Sequence, residues 1–172
     1  MKPIVLVPNS VLTTSAETVV SFDKQLAQLI SDLKETLVGT TNPKGVGLAA
    51  TQIGKSARVF ITKPWEKSRI RVFINPEVVK RSEELTDGLP GRENNLEGCL
   101  SIPKIWGRVK RAASLTLSYQ DESGKMHEEQ CKGFLASIIQ HETDHVNGIL
   151  FTQRVLEQKG KLYQATKDTE GK

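Results

Sequence analysis

The sequence predicts an α+β fold in which antiparallel sheets pack around a central helix. Three observations carry this. Short strand-like runs fill residues 58–131 without the regular alternation of strand and helix that a parallel sheet requires. Residues 23–38 place Leu26, Leu29, Ile30, Leu33 and Leu37 at helical spacing, which gives one buried stripe. The run Gln140-His141-Glu142-Thr143-Asp144-His145 has the H-E-x-x-H form. Two imidazoles four residues apart on a helix share one face and can reach one metal ion. The central helix is therefore expected to be the metal-binding one.

The elements follow in chain order. Residues 4–7 form a short apolar run that ends at Pro8, too short for a signal-peptide core. The first helix is predicted over 23–38, with Ser21 as N-cap and Gly39 as stop. Residues 42–47 read as a loop. Strands are expected at 58–62, 70–74 and 78–79, the last two separated by Pro76. Residues 82–95 are polar, contain Gly88, Pro90 and Gly91, and read as an exposed loop. Leu115, Leu117 and Tyr119 alternate with Ser and Thr, 121–124 is a turn, and 126–131 is the return strand of a hairpin. Gly133 opens the helix that carries the His pair, and Gly148 closes it. Residues 153–164 suggest a short final helix, and about 165–172 a frayed tail. No repeat or linker divides the chain, so residues 1–172 read as one domain.

Composition narrows the function classes. The chain has 172 residues, 24 Lys+Arg against 20 Asp+Glu, and 37% hydrophobic residues. A pI of about 9.1 without a clustered basic face does not indicate nucleic-acid binding. The densest basic run, 104–111, reads as a solvated strand edge. Two Cys make no disulfide framework, and no apolar run approaches a membrane span. A cytoplasmic protein is expected, with thiols that stay reduced and able to bind metal.

Only three His are present, and two sit in the H-E-x-x-H run. A carboxylate beside the first His can act on a water that the metal activates. Catalytic sites of this kind take three protein ligands and keep one position open. A third His six residues after the second is excluded, because Phe151 stands there. The later glutamates, Glu157 and Glu170, lie in a charged tail. Cys99 is the remaining upstream donor, and its neighbour Gly98 suggests a close backbone approach. His127 and Cys131 share a strand face but fall outside the motif blocks. A metalloprotease and a non-catalytic metal module stand as alternatives at this point.

Three blocks in order resemble the peptide deformylases. Residues 45–52, Gly-Val-Gly-Leu-Ala-Ala-Thr-Gln, are similar to G-x-G-L-A-A-x-Q. Residues 97–101, Glu-Gly-Cys-Leu-Ser, are identical to E-G-C-L-S, and residues 140–145 are similar to Q-H-E-x-D-H. The resemblance runs from about Pro8 to Leu156. It implies an enzyme that removes the formyl group from the formyl-Met of nascent peptides. It implies Cys99, His141 and His145 as ligands of one divalent ion, typically Fe²⁺, with Zn²⁺, Ni²⁺ or Co²⁺ as substitutes. Glu142 would move the proton, and the Gln52 amide and Leu100 N–H would meet the oxyanion. Gly45, Gly47 and Gly98 would lie along the substrate backbone. Val46, Phe134 and Ile138 would form the pocket for the Met side chain. A monomer without membrane contact, working near the ribosome, is the expected form.

The chain also departs from the family. Residues 8–13 carry Asn9 and Thr13 where many members have Asp and Arg, and Trp106 stands where some have Arg. The rim is thus expected to stack on the peptide rather than pair with it. The 82–95 loop looks longer than in compact members.

Overall fold

The computed structural model describes residues 1–91 and 94–165. The expected frayed tail thus lies almost entirely outside the described residues. Three α-helices and ten strands are described: α1 (Lys24–Gly39), β1 (Gly47–Ala49), β2 (Val59–Thr62), β3 (Arg71–Arg81), β4 (Leu85–Asp87), β5 (Glu97–Cys99), β6 (Ile102–Gly107), β7 (Lys110–Ala112), β8 (Ser114–Gln120), β9 (Met126–Lys132), α2 (Gly133–Val146), α3 (Phe151–Glu157) and β10 (Leu162–Gln164). Short 3-10 turns occupy Ser10–Leu12 and Ala50–Ile53. The fold is α+β with antiparallel sheets.

The largest sheet has the order β1-β2-β3-β8-β9, with every neighbouring pair antiparallel. Its two faces explain the sequence pattern. Leu26, Ile30, Leu33 and Leu37 of α1 pack with Leu48, Val59, Ile61, Val72 and Ile74 on one face. Ala136, Ile139 and Val146 of α2 pack with Phe60, Phe73, Leu115 and Leu117 on the other. Strand β2 is covered on both faces, so all four of its residues are buried. Strand β8 is covered on one face only and alternates strictly. Two smaller sheets, β10-β6-β5 and β4-β7, meet α2 through the side chains of Glu97 on β5 and Arg111 on β7.

Several local expectations are corrected. Asp23, not Ser21, caps α1, and its carboxylate accepts from the N–H groups of Gln25 and Leu26. Pro76 does not divide two strands. β3 runs through it, with a register shift between Ile74 and Glu77. A bulge needs no ladder donor there, so proline is tolerated. Asn75 adopts φ 49° at the bulge, and its side chain bonds both the N–H and the carbonyl of Val19. The 82–95 stretch contains β4, which pairs with β7. The 104–111 run is only partly a solvated edge: Lys104, Arg108 and Lys110 are exposed, but β6 is flanked on both sides and Arg111 is buried. The final segment is a helix only to Glu157, and β10 follows it. At the N-terminus Asn9 accepts from the Val11 N–H at 3.0 Å. The Asn that departs from the family pattern thus still caps a turn.

Candidate active site

Helix α2 begins at a sharp exit from β9. Gly133 takes φ 59°, a conformation that a side chain disfavours. One helix face then presents Phe134, Ser137, Ile138, His141 and Glu142 to a cleft. His145 follows one turn later and is 1% exposed. Asn147 ends the helix, and Gly148 closes it at φ 73°, its N–H bonding the carbonyl of His145.

Strand β5 faces this helix. Glu97 and Cys99, two residues apart, fall on one side of the strand. The Cys99 sulfur lies 3.2 Å from His145 Nε2. One ligand atom each from Cys99, His141 and His145 falls within 4.8 Å of the others. Glu97 Oε1 lies 2.5 Å from His141 Nδ1, which leaves Nε2 as the free donor of that ring. A thiolate and two imidazoles suit Zn²⁺, Fe²⁺ and neighbouring divalent ions. The buried Glu142 Oε2 has no hydrogen-bond partner among the described residues. An orphaned carboxylate oxygen beside three convergent donors is what a metal site that handles water would contain, so the residues fit a bound ion.

A buried charge network supports the triad. Arg111 grips Glu97 through Nε–Oε2 at 2.9 Å and Nη2–Oε1 at 2.7 Å. Its Nη1 donates to Asp144 Oδ2 at 3.0 Å, and Arg154 binds the same Asp144 from the surface side. Asp144 therefore does not suffer its position near a helix C-terminus, because two guanidinium groups neutralise it. Burial alone would raise the Glu97 pKa, but the Arg111 charge and its bonds, with His141, hold it well below the usual carboxylate range. Burial opposes a charged His141, yet the Glu97 carboxylate and the Cys99 sulfur together outweigh it and raise that pKa. Burial, reinforced by His141, keeps His145 neutral. Burial also pushes the Glu142 carboxyl up to about 7.

The remaining expected residues converge on the same cleft. The 3-10 turn Ala50–Ile53 holds Gln52 so that Oε1 accepts from the Ala49 N–H at 2.9 Å. Its amide nitrogen then faces Cys99 Sγ at 3.5 Å and Ser101 Oγ at 3.3 Å. Gly45, Val46, Gly47, Gly98 and Leu100 line the cleft with Phe134 and Ile138. A Cβ on Gly47 would lie 2.8 Å from the Glu142 carboxyl carbon, so glycine there makes room for that side chain. A Cβ on Gly98 would lie 2.6 Å from the Trp106 ring.

His127 and Cys131 are not drawn in. His127 pairs with Asp121 at 2.6 Å, and the Cys131 thiol donates to Glu129 at 3.4 Å. Burial, with the Glu129 carboxylate, pushes the Cys131 thiol up to about 12.

Sequence reasoning missed Glu97 as the partner of His141. The signal was present, since Glu97 stands two positions before Cys99 and so on the same strand face. It also missed Trp65, which packs on Phe134 with ring centroids 5.0 Å apart. No motif marks that position.

A sequence model described as polypeptide deformylase matches residues 1–161. The peptide deformylase of Rhizobium meliloti is 40% identical over 154 residues, covering 88% of this chain and 83% of the relative. That of Treponema pallidum (strain Nichols) is 41% identical over 148 residues, covering 86% and 84%. Among solved structures, the Thermotoga maritima peptide deformylase gives a TM-score of 0.79 at 34% identity, covering 90% of this chain and 97% of that one. A Synechococcus elongatus peptide deformylase in complex with actinonin gives 0.79 at 32% identity, covering 89% and 78%.

Proposed function

The chain belongs to the polypeptide deformylase family and removes the N-formyl group from newly synthesised polypeptides, and from that premise we propose how its own residues do so. Cys99, His141 and His145 hold one divalent ion, with Fe²⁺ as the native metal and Zn²⁺, Ni²⁺ or Co²⁺ as substitutes. That ion supplies Lewis acidity and eases the ionisation of water at neutral pH. Glu142 takes the proton of the attacking water. Attack on the formyl carbon makes a tetrahedral oxyanion, which the Gln52 side-chain amide and the Leu100 N–H stabilise. Glu142 then delivers its proton to the departing amine, so formate and a free N-terminus leave. The single observation that carries this reading is the buried Glu142 Oε2, without a hydrogen-bond partner among the described residues, beside three converging donors.

Substrate placement follows from the cleft. β1 is an edge strand, so an extended peptide can pair beside Gly45, Val46 and Gly47. Gly98 bounds the opposite wall. Phe134, Ile138 and Val46 take the Met side chain, which is long, polarisable and apolar. We also infer that residues 1–172 form one catalytic domain built around α2 as its central metal-binding helix. It acts as a monomer in the cytoplasm, close to the ribosome where formyl-Met chains arise.

Formate release from formyl-Met-Ala by protein loaded with Fe²⁺ or Ni²⁺ tests the proposal. Turnover should need the metal and vanish on chelation. Protein with one bound metal per chain and no formate release would overturn it.

A further inference from the structure

Trp65 stands just outside the cleft but touches its wall. Its indole packs on Phe134 with planes tilted by 41°, and Phe134 shares the cleft face of α2 with Ile138 and His141. Even so, Trp65 is 61% exposed. An indole placed only to brace Phe134 would bury itself, because apolar ring area left in water is unfavourable. The loop that presents it is firmly held. The Trp65 N–H donates to Ser68 Oγ at 3.2 Å, and the Ser68 N–H donates back to the Trp65 carbonyl at 3.0 Å. Glu66 pairs with Lys44 at 2.7 Å, and the Lys63 N–H donates to the Val46 carbonyl at 2.7 Å. These bonds fix the loop beside the start of β1, the edge strand along which an extended peptide would run.

We infer that Trp65 is a specificity-determining residue. It extends the apolar wall outward from Phe134 and favours formyl-Met peptides that carry an aromatic or large apolar side chain at the first or second position after the Met. The inference rests on the deformylase reading above. Aromatic contacts have defined geometry and add to the burial of ring area, so the preference should be for rings above all.

The test compares kcat/KM for formyl-Met-Phe against formyl-Met-Ala, and for formyl-Met-Ala-Phe against formyl-Met-Ala-Ala. Wild type should prefer the Phe peptide in at least one pair. In Trp65→Ala that ratio should fall about three- to tenfold, mainly through KM, and Trp65→Phe should restore most of it. Melting temperature and metal content of both variants show that they are folded and loaded. A ratio that stays unchanged in folded Trp65→Ala overturns the inference, even if both rates fall, because Trp65 then only braces Phe134. Wild type that releases formate from all four peptides without preference overturns it while leaving the activity intact. Loaded wild type that releases formate from none overturns both.

Discussion

In the proposed mechanism the chemistry falls on Glu142, one carboxylate whose environment is set by three features. Gly47 gives it room, burial raises its pKa to about 7, and no described group bonds its Oε2. Replacement by Gln keeps the shape but removes the base. Glu142→Gln should retain one metal per chain and lose about 10²–10⁴-fold in kcat, read by formate release. Near-normal turnover would mean that another group moves the proton. A second expectation concerns the metal-free protein. There the Glu142 carboxyl should titrate near neutrality, and a bound cation should draw the value down by favouring the charged form. Difference infrared spectra of metal-free protein should show a protonated carboxyl at pH 6 that fades above pH 7 and is missing in Glu142→Gln. A band unchanged by that substitution would assign the titration elsewhere. At this scale the convergence of Cys99, His141 and His145 was legible because chemistry fixes residue type and the motif fixes spacing. Arg111 was less so. In the sequence it belongs to a basic run, and nothing local tells a buried guanidinium from a solvated one.

Elements place these side chains through register. Strand β5 sets Glu97 and Cys99 on one side by its period of two, and α2 turns Phe134, Ile138, His141 and Glu142 onto one face. The network from Arg154 through Asp144, Arg111 and Glu97 to His141 ties α3, α2, β7 and β5 together. Removing its central cation leaves Glu97 buried with only His141 opposite. Arg111→Gln should therefore destabilise the fold by about 3–5 kcal/mol, read as a shift in denaturant midpoint. It should also weaken metal binding about 10–100-fold, since it loosens the carboxylate that orients His141. A variant with wild-type stability and metal affinity would show that Asp144 and Glu97 find other partners. Element boundaries were read less well than element types. The strand of 71–81 was split at Pro76 because a proline normally ends pairing, and only the bulge at Asn75 shows why it does not. β4, β7 and β10 have three residues each, too few to display a period.

For the molecule as a whole, sequence pattern conveyed the class but not the layering. The apolar stripe of α1 and the alternation of β8 announce one covered face each. Strand β2, buried on both faces, gives only a continuous apolar run, which does not say what lies on either side. The structure answers with α1 on one face and α2 on the other. This arrangement puts a charged carboxylate, Glu97, at the heart of the fold, and that has a consequence for stability against acid. Its folded-state pKa is depressed, so it binds fewer protons folded than unfolded at mildly acidic pH. Its contribution is therefore fully present above the ordinary value of about 4.5 and is lost as pH falls below it. Asp121 shifts in the same direction, because Ser123 and His127 bond its carboxylate, but its exposure makes the effect small. Metal-free wild type should thus lose stability steeply between about pH 5 and pH 3, as measured by urea unfolding at each pH. Glu97→Gln should be less stable at pH 7, because Arg111 keeps only Asp144, yet its stability should fall less steeply over the same window. Using metal-free protein for both separates this from proton competition at the proposed metal ligands. Equal slopes for the two proteins would mean that Glu97 is not the carboxylate whose protonation unlocks the fold.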